Sequence, residues 1–298
     1  MVAPERGRWQ RAELVSALRG ADALIAILRD RIDDELLAAA PNLKVVANVA
    51  VGYDNVDVEA ASGRGIFVTN TPDVLTDATA DLTFALLLAA ARRLGEGERL
   101  VRSGTWGGWE PGQLLGQDVS GKTLGLIGLG RIGAAVAVRA RGFGMRVLYT
   151  ARSDAPRARE LEASRVPLSE LVSDADFVSL HCPLTPATRH IVDAAALRAM
   201  KPTAIVVNTA RGPCVDEAAL AEALARGEIA GAGLDVFEDE PAVHPALLAS
   251  DRAVLAPHVG SATTTTRRRM AEMAARAVRE ALAGRVPSTA VNSEKVRV

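Results

Sequence analysis

The stretch that most restricts how this chain can fold is Gly128-Leu129-Gly130-Arg131-Ile132-Gly133. It directly follows the apolar run Thr123–Ile127 and opens a helical pattern over Ile132–Phe143. A strand that passes through a glycine-rich turn into a helix is the start of a βαβ unit. Gly128 suits the tight turn, Gly130 removes a side chain that would block a pyrophosphate, and Gly133 lets helix and strand pack closely. The N–H groups at the helix start then receive phosphates. A lone fingerprint of this kind is weak, because ordinary glycine-rich turns also match it. The flanking strand and helix give it weight.

The rhythm continues downstream. Further strands are expected at Arg146–Tyr149, Phe177–Leu180, Ala204–Asn208, Ala232–Val236 and Val254–Ala256, with helices at Leu168–Ser173, Asp193–Met200 and Glu217–Arg226 between them. The strands are continuous apolar runs, the pattern of a parallel sheet covered on both faces. The expected class is therefore α/β, a doubly wound parallel sheet of the Rossmann kind.

Upstream the chain reads as a short mixed segment. Helices are expected at Ala12–Leu18 and Asp33–Ala40, and strands at Ala23–Leu28, Lys44–Val49 and Ile66–Thr69, with a loop over Val51–Asp57. One long helix is expected over Asp77–Ser103. Its centre, Phe84–Ala91, is apolar nearly all round, which implies packing on several sides, between domains or between subunits. The chain closes on an amphipathic helix, Thr263–Ala283.

Composition sets outer limits. The 298 residues suggest two domains. A hydrophobic share of 49% with 24% charged excludes disordered and collagen-like classes. The net charge of −1 supplies no electrostatic reason for a nucleic-acid or anionic-membrane partner. The longest apolar run, Phe84–Ala91, is far short of the roughly 20 residues that span a bilayer. Met1–Gln10 is charged and lacks the apolar core of a secretory leader. Only Cys182 and Cys214 are present. They make no disulfide framework and no four-ligand metal set, and they read as small buried hydrophobes in a reducing cytoplasm.

The end of the second strand bears on cofactor choice. A site for NAD places an acid there to bond the ribose 2′-OH. At that position stands Ala151, followed by Arg152 and Ser153. Alanine removes the carboxylate that would repel a 2′-phosphate, and Arg152 offers a planar donor fork for one. Asp154 is a nearby acid on the other side of the argument, and Arg152 also reads as a plain surface residue. The expectation is NADP(H) preferred, with NAD(H) possible.

Ligands bind beyond the carboxyl ends of such strands. Strand Ala204–Asn208 runs into Thr209-Ala210-Arg211-Gly212, strand Ala232–Val236 carries Asp235 and leads to Glu238-Asp239-Glu240-Pro241, and Val254–Ala256 leads to Pro257-His258-Val259-Gly260-Ser261. Arginine, carboxylate and histidine at three strand ends suit hydride transfer coupled to proton transfer on a keto acid. Alone, a histidine after a proline is most often a loop residue, as expected for His181, His190 and His244, and Asp235 alone reads as a satisfied loop acid. Joint occurrence with Arg211 and the fingerprint raises His258 above its peers.

In these stretches, together with Val51-Gly52-Tyr53-Asp54-Asn55-Val56-Asp57 and Thr71-Pro72, the chain resembles the D-isomer-specific 2-hydroxyacid dehydrogenases. Leu75–Asp81, Thr150–Ser153 and Gly260–Thr263 resemble the glyoxylate/hydroxypyruvate reductase branch most. The resemblance implies His258 as acid/base, Glu240 as its carboxylate partner and Arg211 as the substrate-binding arginine. It implies a carboxylate cradle from the N–H groups of Val51 and Gly52, and Asp235 facing the nicotinamide carboxamide. Thr76 is implied near the phosphates, with Cys182-Pro183, Thr209 and Ala210 lining the cofactor. A small flavodoxin-like domain is implied from residues 1–72 and 262–298, hinged to a cofactor domain over 73–261. The family's first strand is expected to be missing at the N-terminus. A homodimer through the Asp77–Ser103 region is also implied. Trp109 is implied at a neighbouring subunit's substrate mouth, with ordinary packing the competing reading. The expected reaction is reduction of glyoxylate or hydroxypyruvate by NADPH. The rival readings are NAD-linked phosphoglycerate, D-lactate or phosphite oxidation, and a non-catalytic dinucleotide-binding corepressor.

Overall fold

A computed structural model describes residues 9–296. The reading of the first ten residues as no leader, and much of the missing-strand expectation, fall on residues 1–8, outside that range. The described chain divides into two compact units. One runs as far as Leu75 and resumes at Ala262; the other is Thr76–Ser261. The expected junction at residues 72 and 73 lies three residues earlier.

The first unit contains α1 (Arg11–Leu18), β1 (Ala23–Ala26), α2 (Asp34–Ala38), β2 (Val45–Asn48), α3 (Val58–Gly63) and β3 (Phe67–Thr69). Its three strands are parallel in the order β1-β2-β3. Asp33 and Asp57 cap α2 and α3 by accepting the N–H groups of Leu36 and Ala60. The expected strand Ala23–Leu28 is shorter, because Ile27 and Leu28 turn away after β1 and Asp30 accepts the Ile27 N–H.

The second unit contains α4 (Thr76–Ala91), α5 (Leu94–Arg102), β4 (Thr123–Ile127), α6 (Arg131–Gly142), β5 (Arg146–Thr150), β6 (Ser164–Arg165), α7 (Leu168–Asp174), β7 (Phe177–Leu180), α8 (Ala194–Ala199), β8 (Ile205–Asn208), α9 (Glu217–Arg226), β9 (Gly231–Leu234), α10 (Pro245–Leu248) and β10 (Ala253–Leu255). The sheet is parallel throughout, in the order β10-β9-β8-β7-β4-β5-β6. This is a doubly wound Rossmann-type sheet whose order reverses between β4 and β7, where a crevice opens at the strands' carboxyl ends. Burial matches the continuous apolar runs: β7, β8 and β9 are buried at every position. The chain then returns to the first unit as α11 (Thr264–Leu282), whose Ala281 packs with Val45 and Phe67.

The helices α3 and α10 were not expected, and two further elements correct the sequence reading. The expected helix Asp77–Ser103 is two helices, α4 and α5, broken at Arg93, which takes a left-handed φ of 51°. The carbonyl of Ala91 accepts the N–H of Gln117 at 2.8 Å, so a later segment caps α4. A Cβ on Gly116 would lie 2.3 Å from that same oxygen, so only glycine lets the segment approach. Within its own unit α4 buries Phe84, Leu86, Leu87 and Ala91 of the apolar run, with Leu86 against Gly233 of β9, while Ala85 stays exposed. The second correction is β6, an exposed two-residue strand without an apolar signature.

Candidate active site

Each predicted site residue of the second unit sits at a strand end or helix start facing the crevice side of the sheet. After β4, Gly128 takes φ 101°, and a Cβ there would meet the backbone of His181 and Cys182 at 2.9 Å. A Cβ on Gly133 would lie 2.3 Å from the Gly128 carbonyl oxygen. These two glycines are demanded by the protein's own packing. Gly130 is different: a Cβ there would meet nothing within 4 Å. The space its missing side chain leaves lies over the start of α6, where Leu129, Arg131 and Ile132 also stand. That is the opening a dinucleotide's phosphates need, so the residues fit the cofactor.

At the end of β5, Arg165 of β6 donates to the carbonyls of Ala151 and Arg152 at 2.8 and 3.1 Å. It also pairs with Asp154 at 2.9 Å. The turn Ala151-Arg152-Ser153 is thereby held with the Arg152 side chain exposed and without a partner among the described residues. Nothing in the sequence singled out Arg165, because a two-residue strand leaves no periodic trace.

The Cys182 and Cys214 thiols, 32 residues apart, lie 4.0 Å from each other as free cysteines. Sequence distance concealed this pairing. The neighbouring thiol and burial push the Cys182 thiol well above its ordinary range. Burial holds the half-buried His181 imidazole down to about 3, and it bonds the Ser179 hydroxyl. Pro183 follows in the same loop.

His258 Nδ1 lies 2.8 Å from Glu240 Oε2. Glu240 Oε1 accepts the Phe237 N–H at 3.1 Å. Burial pushes the Glu240 carboxyl up, but the hydrogen bond and charge of His258, the Phe237 N–H and the Arg211 charge outweigh it and hold it below the usual range. His258 Nε2 has no partner among the described residues, and His258 adopts a left-handed φ of 53°. That conformation is secured by Asp235, buried at the end of β9. Its two oxygens accept the N–H groups of Val259 and Gly260, each at 2.7 Å. Burial raises the Asp235 carboxyl despite those two bonds. Asp235 therefore clamps the histidine loop, a role its sequence position did not disclose.

Arg211 follows β8 in a turn tied by the buried Asn208, whose Nδ2 donates to the Arg211 carbonyl at 2.8 Å while its Oδ1 accepts the Ala210 N–H at 3.0 Å. A Cβ on Gly212 would fall 1.9 Å from the Phe237 carbonyl, so the arginine turn backs directly onto the loop that carries Glu240. Thr209 Oγ1 bonds Thr83 of α4 at 2.9 Å, and Thr79 donates to the Gly260 carbonyl at 3.3 Å. The helix that Thr76 begins thus fastens both the arginine turn and the histidine loop.

His190 and His244 serve local structure, as expected: His190 bonds Glu238 at 2.6 Å, and His244 caps α10. In the first unit, Asn48 and Asn70 donate to the carbonyls of Gly52 and Val51 at 2.9 and 2.8 Å. Two side-chain amides hold those carbonyls, which fixes the peptide planes and hence the direction of the Val51–Gly52 backbone.

An imidazole–carboxylate pair beside an arginine, on a Rossmann sheet with an open glycine turn, defines a dinucleotide-dependent oxidoreductase. The family model described as D-isomer specific 2-hydroxyacid dehydrogenase, NAD binding domain, matches residues 84–260. A glyoxylate reductase of Thermococcus onnurineus is 53% identical over 97% of this chain and 88% of its own length. Among solved structures, the TT0316 protein of Thermus thermophilus superposes with a TM-score of 0.91 at 52% identity, covering 96% of this chain and 91% of that one. An NADPH-dependent glyoxylate/hydroxypyruvate reductase of Sinorhizobium meliloti, crystallised with NADP and malonate, superposes with a TM-score of 0.89 at 38% identity, over 98% and 91% of the two chains. The chain belongs to the D-isomer-specific 2-hydroxyacid dehydrogenase family, in its glyoxylate reductase branch, and is an NAD(P)-dependent oxidoreductase acting on 2-oxo acids.

Proposed function

We propose that this enzyme reduces glyoxylate or hydroxypyruvate to the corresponding 2-hydroxy acid, with NADPH as the preferred donor. The observation that carries the reading is the His258–Glu240 pair, with one ring nitrogen held by a carboxylate and the other without a partner among the described residues. When bound, the cofactor supplies the hydride that goes to C2. Protonated His258 donates from Nε2 to the substrate oxygen, while Glu240 keeps the ring oriented and stays ionised. Arg211 holds the substrate's carboxylate and carbonyl through its planar donor fork. The choice of glyoxylate is supported by the likeness to glyoxylate reductases, and that of hydroxypyruvate by the likeness to the Sinorhizobium meliloti glyoxylate/hydroxypyruvate reductase.

The NADPH preference is supported by the end of β5. Alanine replaces the acid, Arg152 is exposed, and Asp154, the one nearby acid, has its charge met by Arg165. We assign a homodimer on the exposed apolar side chains of α5 and the loop after it, Leu94, Val101, Trp106 and Leu115, with Trp109 79% exposed. That exposure speaks against packing of Trp109 within its own chain. Two free thiols 4.0 Å apart fit a reducing cytoplasm.

Steady-state kinetics on a panel of 2-oxo acids with both cofactors tests this. Glyoxylate and hydroxypyruvate should give the highest kcat/KM, and NADPH should exceed NADH. Better use of pyruvate or of NADH overturns the respective part.

A further inference from the structure

Glu217, the first residue of α9, is a buried carboxylate that the reaction does not use. Among the described residues its oxygens meet backbone N–H groups rather than a cation. Oε1 accepts the backbone N–H of Glu238, and Oε2 accepts that of His244 at 3.3 Å. Those two N–H groups bracket the tight turn that carries Glu240, in which Ala242 donates back to the Asp239 carbonyl at 3.0 Å. A single side chain thus closes both ends of the loop. The Glu238 side chain is anchored from the other direction, by His190 Nε2 at 2.6 Å and Arg189 at 2.9 Å. Glu217 is itself held in register because Asp216 caps α9, accepting the Ala219 N–H at 2.9 Å.

We infer that Glu217 is a positioning residue, one that sets the place of Glu240 and through it the orientation of His258. Two backbone N–H groups that converge on one buried point need an acceptor with two oxygens, because an unmet buried N–H is costly. Only a carboxylate of glutamate length spans them. Glutamine supplies one oxygen and presents an amide N–H to the second backbone donor, which releases one end of the loop. Aspartate keeps the charge but is one methylene short. Asp235 and Arg211 act on the His258–Glu240 pair through their charges, and the Glu217 bonds reach the same pair through the backbone of the loop.

The inference rests on the roles proposed for His258 and Glu240, so the test is a double-mutant cycle between Glu217→Gln and Glu240→Gln, read as kcat, KM for both substrates and cofactor affinity. E217Q should lower kcat roughly ten- to a hundredfold, as misplacement of a catalytic group does, with KM for 2-oxo acid and NADPH affinity little changed. In the E240Q background the same substitution should cause no further loss, because both act on one interaction. An undiminished kcat in E217Q, a loss that multiplies fully in the E240Q background, or a loss carried by KM or cofactor affinity overturns the inference. Full activity in E240Q alone overturns instead the role of Glu240. If E217Q does not fold, E217D decides: a folded E217D with the parent kcat overturns the inference, and a reduced kcat absent from the E240Q background supports it.

Discussion

Glu240 shows how one side chain's surroundings set a pH limit. In the folded chain its carboxyl is held below the ordinary range; unfolded it titrates near about 4.3. The folded state therefore gains stability from its ionisation above that value and loses the gain as pH falls through the lower folded value. Urea midpoints of the parent and Glu240→Gln should differ at neutral pH and converge in acid. His258→Gln should abolish most of kcat while NADPH still binds, measured by quenching of protein fluorescence. Retained turnover would falsify the proton-donor role. Arg152→Ala should narrow the ratio of NADPH to NADH kcat/KM, a direct reading of the 2′-phosphate argument.

At the level of elements, the site is a set of loops fastened by side chains outside the chemistry. The contact between the Gly212 turn and the Phe237 carbonyl leaves no room for a methyl group. Gly212→Ala should lower thermal stability by about 1–3 kcal/mol, the cost of overpacking, and should also depress kcat, since the same shift moves Arg211 against the Glu240 loop. In the first unit, Asn70 holds the Val51 carbonyl. Asn70→Ala should lower the melting temperature, a loss of about 1 kcal/mol, because it removes the bond that holds the Val51 carbonyl. These fasteners were mostly illegible in the sequence. Thr79, Thr83 and Glu217 stand in helices with no local mark of their role, and their partners lie 181, 126 and 21 residues away. Helix α9, capped by Asp216, could by contrast be read to the residue, Glu217–Arg226, whereas α3, capped by Asp57, was not expected.

On the scale of the whole molecule, the cofactor unit should be stabilised by its ligand. At a hundred times its Kd, NADPH should add about 2.7 kcal/mol to unfolding, seen as a rise in melting temperature with a smaller rise for NADH at equal concentration. Replacing Leu94 and Val101 of α5 by glutamate should shift the sedimentation coefficient toward monomer if the exposed apolar side chains pack against a second copy. Among the described residues no helix is long and apolar enough to cross a membrane.

Local chemistry along the chain was enough to specify the doubly wound sheet and its glycine turn and to bring His258 and Arg211 forward as candidates, while the choice of Glu240 among its neighbouring carboxylates came from the family resemblance. Apolar runs, caps and turn glycines act over a few neighbours, and such signals survive in one dimension. The break between α4 and α5 depends on Gly116–Gln117 returning to the Ala91 carbonyl. The clamp on the histidine loop depends on Asp235 reaching Val259 and Gly260. The two thiols meet only once β7 and the turn after β8 lie side by side. Each of these is a contact between distant segments whose geometry the packed sheet alone creates, so folding in three dimensions was required to decide them.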